Sequence, residues 1–307
     1  MTRFAEELTL AIGNTPLVRI KNLCPNPNVR VLAKLEGSNP GGSVKDRTAW
    51  YMIREAEKKG LLTKDKVILE ATSGNTGIAL AMIGAVRGYK VKLVMPACVS
   101  VERRAILEAY GADLVLSPAC DATDGAIRKA HKILEESPEE YYMPNQFENE
   151  ANVLAHYETT GPEIWEQTGG DLDFVVAGLG TSGTAMGISR FMHEKSGRVK
   201  VIAAEPLPGH RIQGLKNMQE SIVPSIYNPD KLDLVMKVKD EDAFETARLM
   251  AEKEGLFVGM SSGAAMAVAL KVAEGMKEGT IAAILPDRGD RYLSTNLFRS
   301  VCGECPP

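Results

Sequence analysis

Lys45 stands at a place where electrostatics does not favour a lysine. The run Gly37-Ser38-Asn39-Pro40-Gly41-Gly42-Ser43-Val44-Lys45-Asp46-Arg47 follows an apolar strand pattern and opens a helical one. Asn, Pro and two Gly suit the turn, Ser43 suits a cap, and Lys45 falls in the first helical turn. Positive charge there is disfavoured by roughly 0.3–1 kcal/mol. A site that lowers the amine's pKa turns this position to use, because a neutral amine is a nucleophile suited to a Schiff base. Taken alone, Lys45 reads more readily as a solvated surface lysine.

Three more loops carry small polar residues between a strand and a helix. Glu70-Ala71-Thr72-Ser73-Gly74-Asn75-Thr76-Gly77 offers hydroxyls, an amide and helix-start N–H groups, which together cradle a carboxylate. A plain turn with an N-cap would need only one of them. Gly178-Leu179-Gly180-Thr181-Ser182-Gly183-Thr184 satisfies G-x-G-x-x-G, and Glu205 lies 22 residues beyond Gly183. That is formally the dinucleotide fingerprint with its ribose-binding acid, so an NAD(P)-dependent oxidoreductase is the competing class. The hydroxyls of Thr181, Ser182 and Thr184 favour a terminal phosphate monoester instead. In Gly259-Met260-Ser261-Ser262-Gly263, Ser262 is either a helix N-cap or a hydroxyl facing a heterocyclic nitrogen.

The elements that must position these loops alternate. Strands are expected at 31–35, 66–70, 90–95, 113–116, 174–177, 200–204, 234–238, 256–259 and 281–285, with helical patterns between them such as 44–59, 76–87, 101–110, 242–254 and 263–274. Short apolar strands separated by helices imply an α/β protein with mostly parallel sheets covered on both faces. The polar segment 144–160 marks a crossing between two sheets. The expected division is a smaller, mobile domain at 35–145 carrying the substrate loop, and a larger one at 1–34 plus 146–307 carrying the phosphate loop and Ser262. Ligands in such sheets bind at the carboxyl ends of strands, where all four loops fall.

The 307 residues are 44% hydrophobic and 25% charged, so a core large enough to need no staples is available. A formal charge of -4 without basic clusters argues against nucleic acid or an anionic membrane surface. No apolar run is long enough to span a bilayer, and no signal peptide is expected. Five cysteines, with Cys24, Cys98 and Cys120 scattered, suit free thiols in the cytoplasm. Cys302 and Cys305 form a C-x-x-C without a second ligand pair, which reads as a tail rather than a zinc site.

Together these loops resemble the fold-type II pyridoxal-phosphate family (tryptophan synthase beta-like), in particular the cysteine synthases, or O-acetylserine sulfhydrylases. The likeness runs from Ile12-Gly13-Asn14-Thr15-Pro16-Leu17 through the four loops, Met143–Phe147 and Gly161-Pro162-Glu163-Ile164-Trp165 to Asp287–Ser294. Asp46-Arg47, Ala71 and the Asp287–Ser294 stretch resemble the family's B isoform.

The resemblance implies that Lys45 holds pyridoxal 5'-phosphate and acts as the base. It further implies that Asn75 meets the ring hydroxyl, Gly180, Thr181, Ser182, Gly183 and Thr184 hold the phosphate, and Ser262 meets the pyridine nitrogen. Thr72, Ser73, Gly74, Thr76 and Gln146 would bind the substrate carboxylate. The implied reaction is β-replacement on O-acetyl-L-serine by sulfide or thiosulfate, through an aminoacrylate, in a homodimer. Cystathionine β-synthase and O-phosphoserine sulfhydrylase are the nearest alternatives. Segment 209–219, expected over the entrance, departs from the B pattern of paired basic residues with an aromatic: it offers Arg211 and then Lys216-Asn217-Met218.

Overall fold

The computed structural model describes residues 5–72, 74–97, 99–118 and 122–298. Ser73, Cys98, Cys120, Cys302 and Cys305 lie outside them. Two sheets carry the fold. The larger has the order β1-β2-β10-β7-β8-β9, from Leu17–Ile20, Val29–Leu35, Gly279–Leu285, Phe174–Gly178, Lys200–Pro206 and Leu234–Val238. All its pairings are parallel except β1 with β2. The smaller is wholly parallel, in the order β5-β4-β3-β6, from Asp113–Ser117, Val91–Pro96, Val67–Ala71 and Tyr141–Tyr142.

Alternation along the strands feeds two cores per sheet. Val176 of β7 joins Ile202 and Ala204 in one cluster, while its neighbours Val175 and Ala177 join Val201 and Ala203 in another. Ile68, Leu93 and Met95 face one side of the small sheet; Leu69, Ala71 and Val94 face the other. Helix α1 (Lys45–Lys58) enters the first of these small-sheet cores through Ala49, Ile53 and Ala56. The remaining helices are α2 (Asn75–Arg87), α3 (Val101–Ala109), α4 (Ala122–Glu136), α5 (Glu150–Ala155), α6 (Gly161–Gln167), α7 (Gly183–Lys195), α8 (Asp240–Glu254) and α9 (Met260–Gly275).

Residues 256–259 do not form the expected strand. After the left-handed Gly255 that ends α8, they make a single bridge, Val258 to Arg288, before α9 begins. Val258 is buried against the core while Phe257 stays exposed, and among the described residues the segment pairs only through that bridge. Among the described residues no helix is long and apolar enough to cross a membrane, and no group of three His, Cys, Asp or Glu is placed to hold a metal.

The start of α1 is fixed by a buried ion cluster. Arg47 donates to Glu36 through Nε (2.7 Å) and Nη2 (2.9 Å), and to Glu163 through Nη1 (2.6 Å) and Nη2 (2.7 Å). Lys34 Nζ reaches Glu163 Oε2 at 2.7 Å and the Thr15 carbonyl at 2.8 Å. The cluster ties β2, α1 and α6 together two residues from Lys45. Burial alone would raise the Glu163 carboxyl, but the hydrogen bonds and charges of Arg47 and Lys34 hold it at about 2.

Candidate active site

A cavity of about 570 Å³ opens between the carboxyl ends of the two sheets. Lys45 lines it. The Ser43 hydroxyl accepts from the Lys45 backbone N–H at 3.2 Å, as a helix start demands. Burial lowers the Lys45 amine to about 8, and the nearby Asp287 carboxylate only partly opposes this. A lysine so placed is neutral in about a tenth of molecules at pH 7, far more than an exposed lysine, and that neutral form is the nucleophile.

Thr72, Asn75, Thr76 and Gln146 line the small-sheet side. Their arrangement is built from within. The Thr76 hydroxyl donates to Gln146 Oε1 at 2.6 Å, and Gln146 Nε2 donates to the Ala71 carbonyl at 3.2 Å. Beneath them the buried Glu70 carboxyl accepts the N–H groups of Asn145 (2.8 Å) and Gln146 (3.3 Å), and burial pushes its pKa up to about 8. Gln146 thus sits in the segment read from sequence as a domain crossing, held there by a carboxyl the sequence reading left in the background.

Gly180, Thr181, Ser182 and Thr184 line the opposite wall, where β7 gives way to α7. Ser182 takes the left-handed conformation at φ 70 in the N-cap position, yet its buried hydroxyl makes no capping bond and has no hydrogen-bond partner. A Cβ at Gly180 would come within 2.5 Å of the Gly214 carbonyl oxygen, so the two backbones approach too closely there for any side chain. Thr181 Oγ1 accepts from Asn152 Nδ2 at 3.0 Å, and Thr184 shares His156 Nε2 at 3.2 Å. Burial keeps His156 well below its ordinary pKa, hence neutral. An orphaned hydroxyl, flanking hydroxyls and the N-terminus of a 13-residue helix make a receptor for a phosphate dianion. The residues present therefore fit pyridoxal phosphate, with the amine and the anion cradle on one cavity. Gly180→Ala is expected to weaken cofactor retention, measured by fluorescence during dialysis, and to lower the melting temperature as well, because the added methyl must displace the Gly214 backbone.

Gly74 and Gly183 are in the expected loops but do not reach the cavity surface; a Cβ at Gly183 would run into Asn152 Oδ1. Ser262 differs from expectation. It is fully buried, with its hydroxyl donating to the Asp287 carbonyl at 3.3 Å, and its neighbour Ser261 lines the cavity instead. Adjacent helical residues point roughly 100° apart, so only one of the pair can face the site. Glu205, the acid of the dinucleotide pattern, is not at the cavity either. It accepts from the Met218 N–H at 2.9 Å and pairs with Lys237 at 2.8 Å.

Residues 210–216 lie along the cavity as expected, and they tie the halves of the molecule together. Lys216 Nζ pairs with Asp124 of α4 at 3.1 Å, over the Phe147 ring, while its backbone N–H donates to the Leu179 carbonyl at 2.7 Å. Arg103 of α3 passes over the Tyr292 ring to donate to Gln213 Oε1 at 2.5 Å. Arg211 turns outward, with its side chain 66% exposed and paired with Asp240.

The model of the family described as pyridoxal-phosphate dependent enzymes matches residues 8–287. Cysteine synthase B of Escherichia coli (strain K12) is 47% identical over 291 residues, 95% of each chain. Among solved structures, cysteine synthase from Entamoeba histolytica matches with a TM-score of 0.90 and 41% identity, over 96% of this chain and 91% of that one. O-acetylserine dependent cystathionine beta-synthase from Helicobacter pylori matches with a TM-score of 0.91 and 38% identity, over 97% and 100%. A lysine at a helix start facing a phosphate cradle across one cavity agrees with those likenesses over nearly the whole length, and the chain belongs to the pyridoxal-phosphate dependent enzymes, in the fold-type II branch of the cysteine synthases.

Proposed function

We propose that the cavity carries out β-replacement on O-acetyl-L-serine with a sulfur nucleophile, giving L-cysteine and acetate. The observation that carries this reading is the depressed Lys45 amine facing two separate anion cradles on one cavity. One cradle, Gly180–Thr184, takes the cofactor phosphate. The other, formed by Thr72 and Thr76 with Gln146, takes the substrate carboxylate; the Ser73 role expected from sequence lies outside the described residues. Ser261 supplies the hydroxyl for the ring nitrogen, and Asn75 reaches the ring oxygen.

Pyridoxal phosphate held by these residues would supply the electron sink that acidifies the Cα proton, and a serine hydroxyl rather than a carboxylate toward its ring nitrogen would keep that sink modest, favouring loss of a β-substituent over transamination. Lys45 would hold the cofactor and would serve as the base that takes the Cα proton and later returns it. Thr72, Thr76 and Gln146 fix the carboxylate so that the Cα–H bond faces that amine, and the walls keep water away. The reading includes a smaller domain at 35–145 that closes over the substrate on a larger one at 1–34 plus 146–307. It also includes a homodimer working in the cytoplasm, which the unpaired thiol of Cys24 suits.

The test is a donor panel. O-acetylserine with sulfide should turn over fastest, ahead of O-phosphoserine, serine, thiosulfate and homocysteine in any other combination. Turnover confined to homocysteine as acceptor, with serine or with O-acetylserine, would sink the assignment in favour of cystathionine synthesis; the name of the Helicobacter pylori relative, an O-acetylserine dependent cystathionine beta-synthase, points to the second pairing.

A further inference from the structure

The stretch Asp287–Ser294 carries three buried polar residues that the reaction above leaves without a role: Asp287, Arg291 and Tyr292. Asp287 and Arg291 bond to Asn75, and Tyr292 bonds to Asp287 behind it. Asn75 Nδ2 donates to Asp287 Oδ2 at 2.6 Å, and Arg291 Nη1 donates to Asn75 Oδ1 at 2.6 Å. Tyr292 donates its hydroxyl to the same Asp287 oxygen at 2.6 Å, and Arg291 Nη2 donates to the Gly41 carbonyl. Ser43 bridges to Asp287, and the Val44 N–H donates to the Pro286 carbonyl at 2.8 Å. The segment is therefore bonded to the turn that leads into Lys45.

A carboxamide can be turned end for end with almost no change of shape, and its neighbours decide which way it lies. Turned here, its oxygen would face a carboxylate and its NH2 a guanidinium, both repulsive in a low-dielectric interior. Two opposite charges, one at each end, thus set the orientation. Nδ2 carries two hydrogens, and Asp287 takes one. The other is what Asn75 has to give to the cavity it lines. The chain also keeps room for the clamp: Gly259 has an ordinary φ of -82, yet a Cβ there would run into Asp287 Oδ1.

We propose that Asp287 and Arg291 are positioning residues that clamp the Asn75 carboxamide from both ends, so that Asn75 presents a donor, never an acceptor, to the ring oxygen of the bound cofactor. This rests on the cofactor reading above. Its test is the visible absorption of purified holoenzyme, followed in position and in the pH midpoint of its conversion. Asp287→Asn and Asn75→Ala should each move that midpoint by about one pH unit in the same direction. The double variant should move it no further than Asn75→Ala alone. Arg291→Lys keeps the charge but loses the planar pair of donors; it should give a smaller shift of the same sense, and it decides the matter if Asp287→Asn does not fold. A wild-type protein with no visible band would overturn the cofactor reading itself. A normal band with Asp287→Asn and Arg291→Lys titrating as wild type overturns the clamp alone. So do additive shifts in the double variant, because Asp287 would then act on Lys45 without Asn75.

Discussion

Replacing Lys45 with alanine is expected to leave a folded, colourless protein whose turnover has fallen about 10³-fold or more. The loss combines the attachment point with the base, and no other amine among the described residues pairs a lowered pKa with a place on the cavity wall. Folding should survive, because a buried amine whose charged form is disfavoured by desolvation contributes little to stability. Absorbance, initial rates and a thermal melt on the same preparation check all three parts. Borohydride reduction of wild type followed by peptide mapping adds a direct reading: a label on a lysine other than Lys45 refutes the assignment.

Arg47→Met carries the second large effect, this time on stability. Glu36 is fully buried and takes two of its hydrogen bonds from Arg47, so removing the guanidinium strands a carboxylate in the interior. Breaking a buried pair from one side costs about 3–5 kcal/mol. Urea unfolding at neutral pH should show that loss, and the cofactor should also be held less tightly, since Arg47 sits two residues from Lys45. The same cluster sets an acid limit. The folded Glu163 carboxyl, at about 2, lies below its ordinary 4.5. Its contribution is complete above pH 4.5 and fades as pH falls from there toward 2. The Arg47→Met protein should show a flatter stability profile over that interval.

The two cradles and the lysine were legible in the sequence because each combines a strand end, a helix start and small polar residues within one short run. Local rules suffice there: a cap, a turn and exposed N–H groups all act between near neighbours. Ser261 and Ser262 show where such rules stop. Both are plausible caps of the same helix, and which one faces the cavity depends on how α9 is rotated against β10, set by packing far away in the chain. Glu70 escaped for a related reason. A glutamate at a strand end reads as polar punctuation until residues 145 and 146, seventy-five positions on, bring their N–H groups to it. The expected strand at 256–259 failed because apolar composition says nothing about a pairing partner, and here only Val258 finds one, in a single bridge.

Residues 213 and 216 serve two purposes at once. They form cavity wall, and they are also the stitches between the large sheet and helices α3 and α4. Anyone redesigning this wall to admit a bulkier or differently charged substrate will cut a stitch in the same move. Selectivity and stiffness are therefore inherited together here, and a change in one should be compensated on α3 or α4 before the other is blamed.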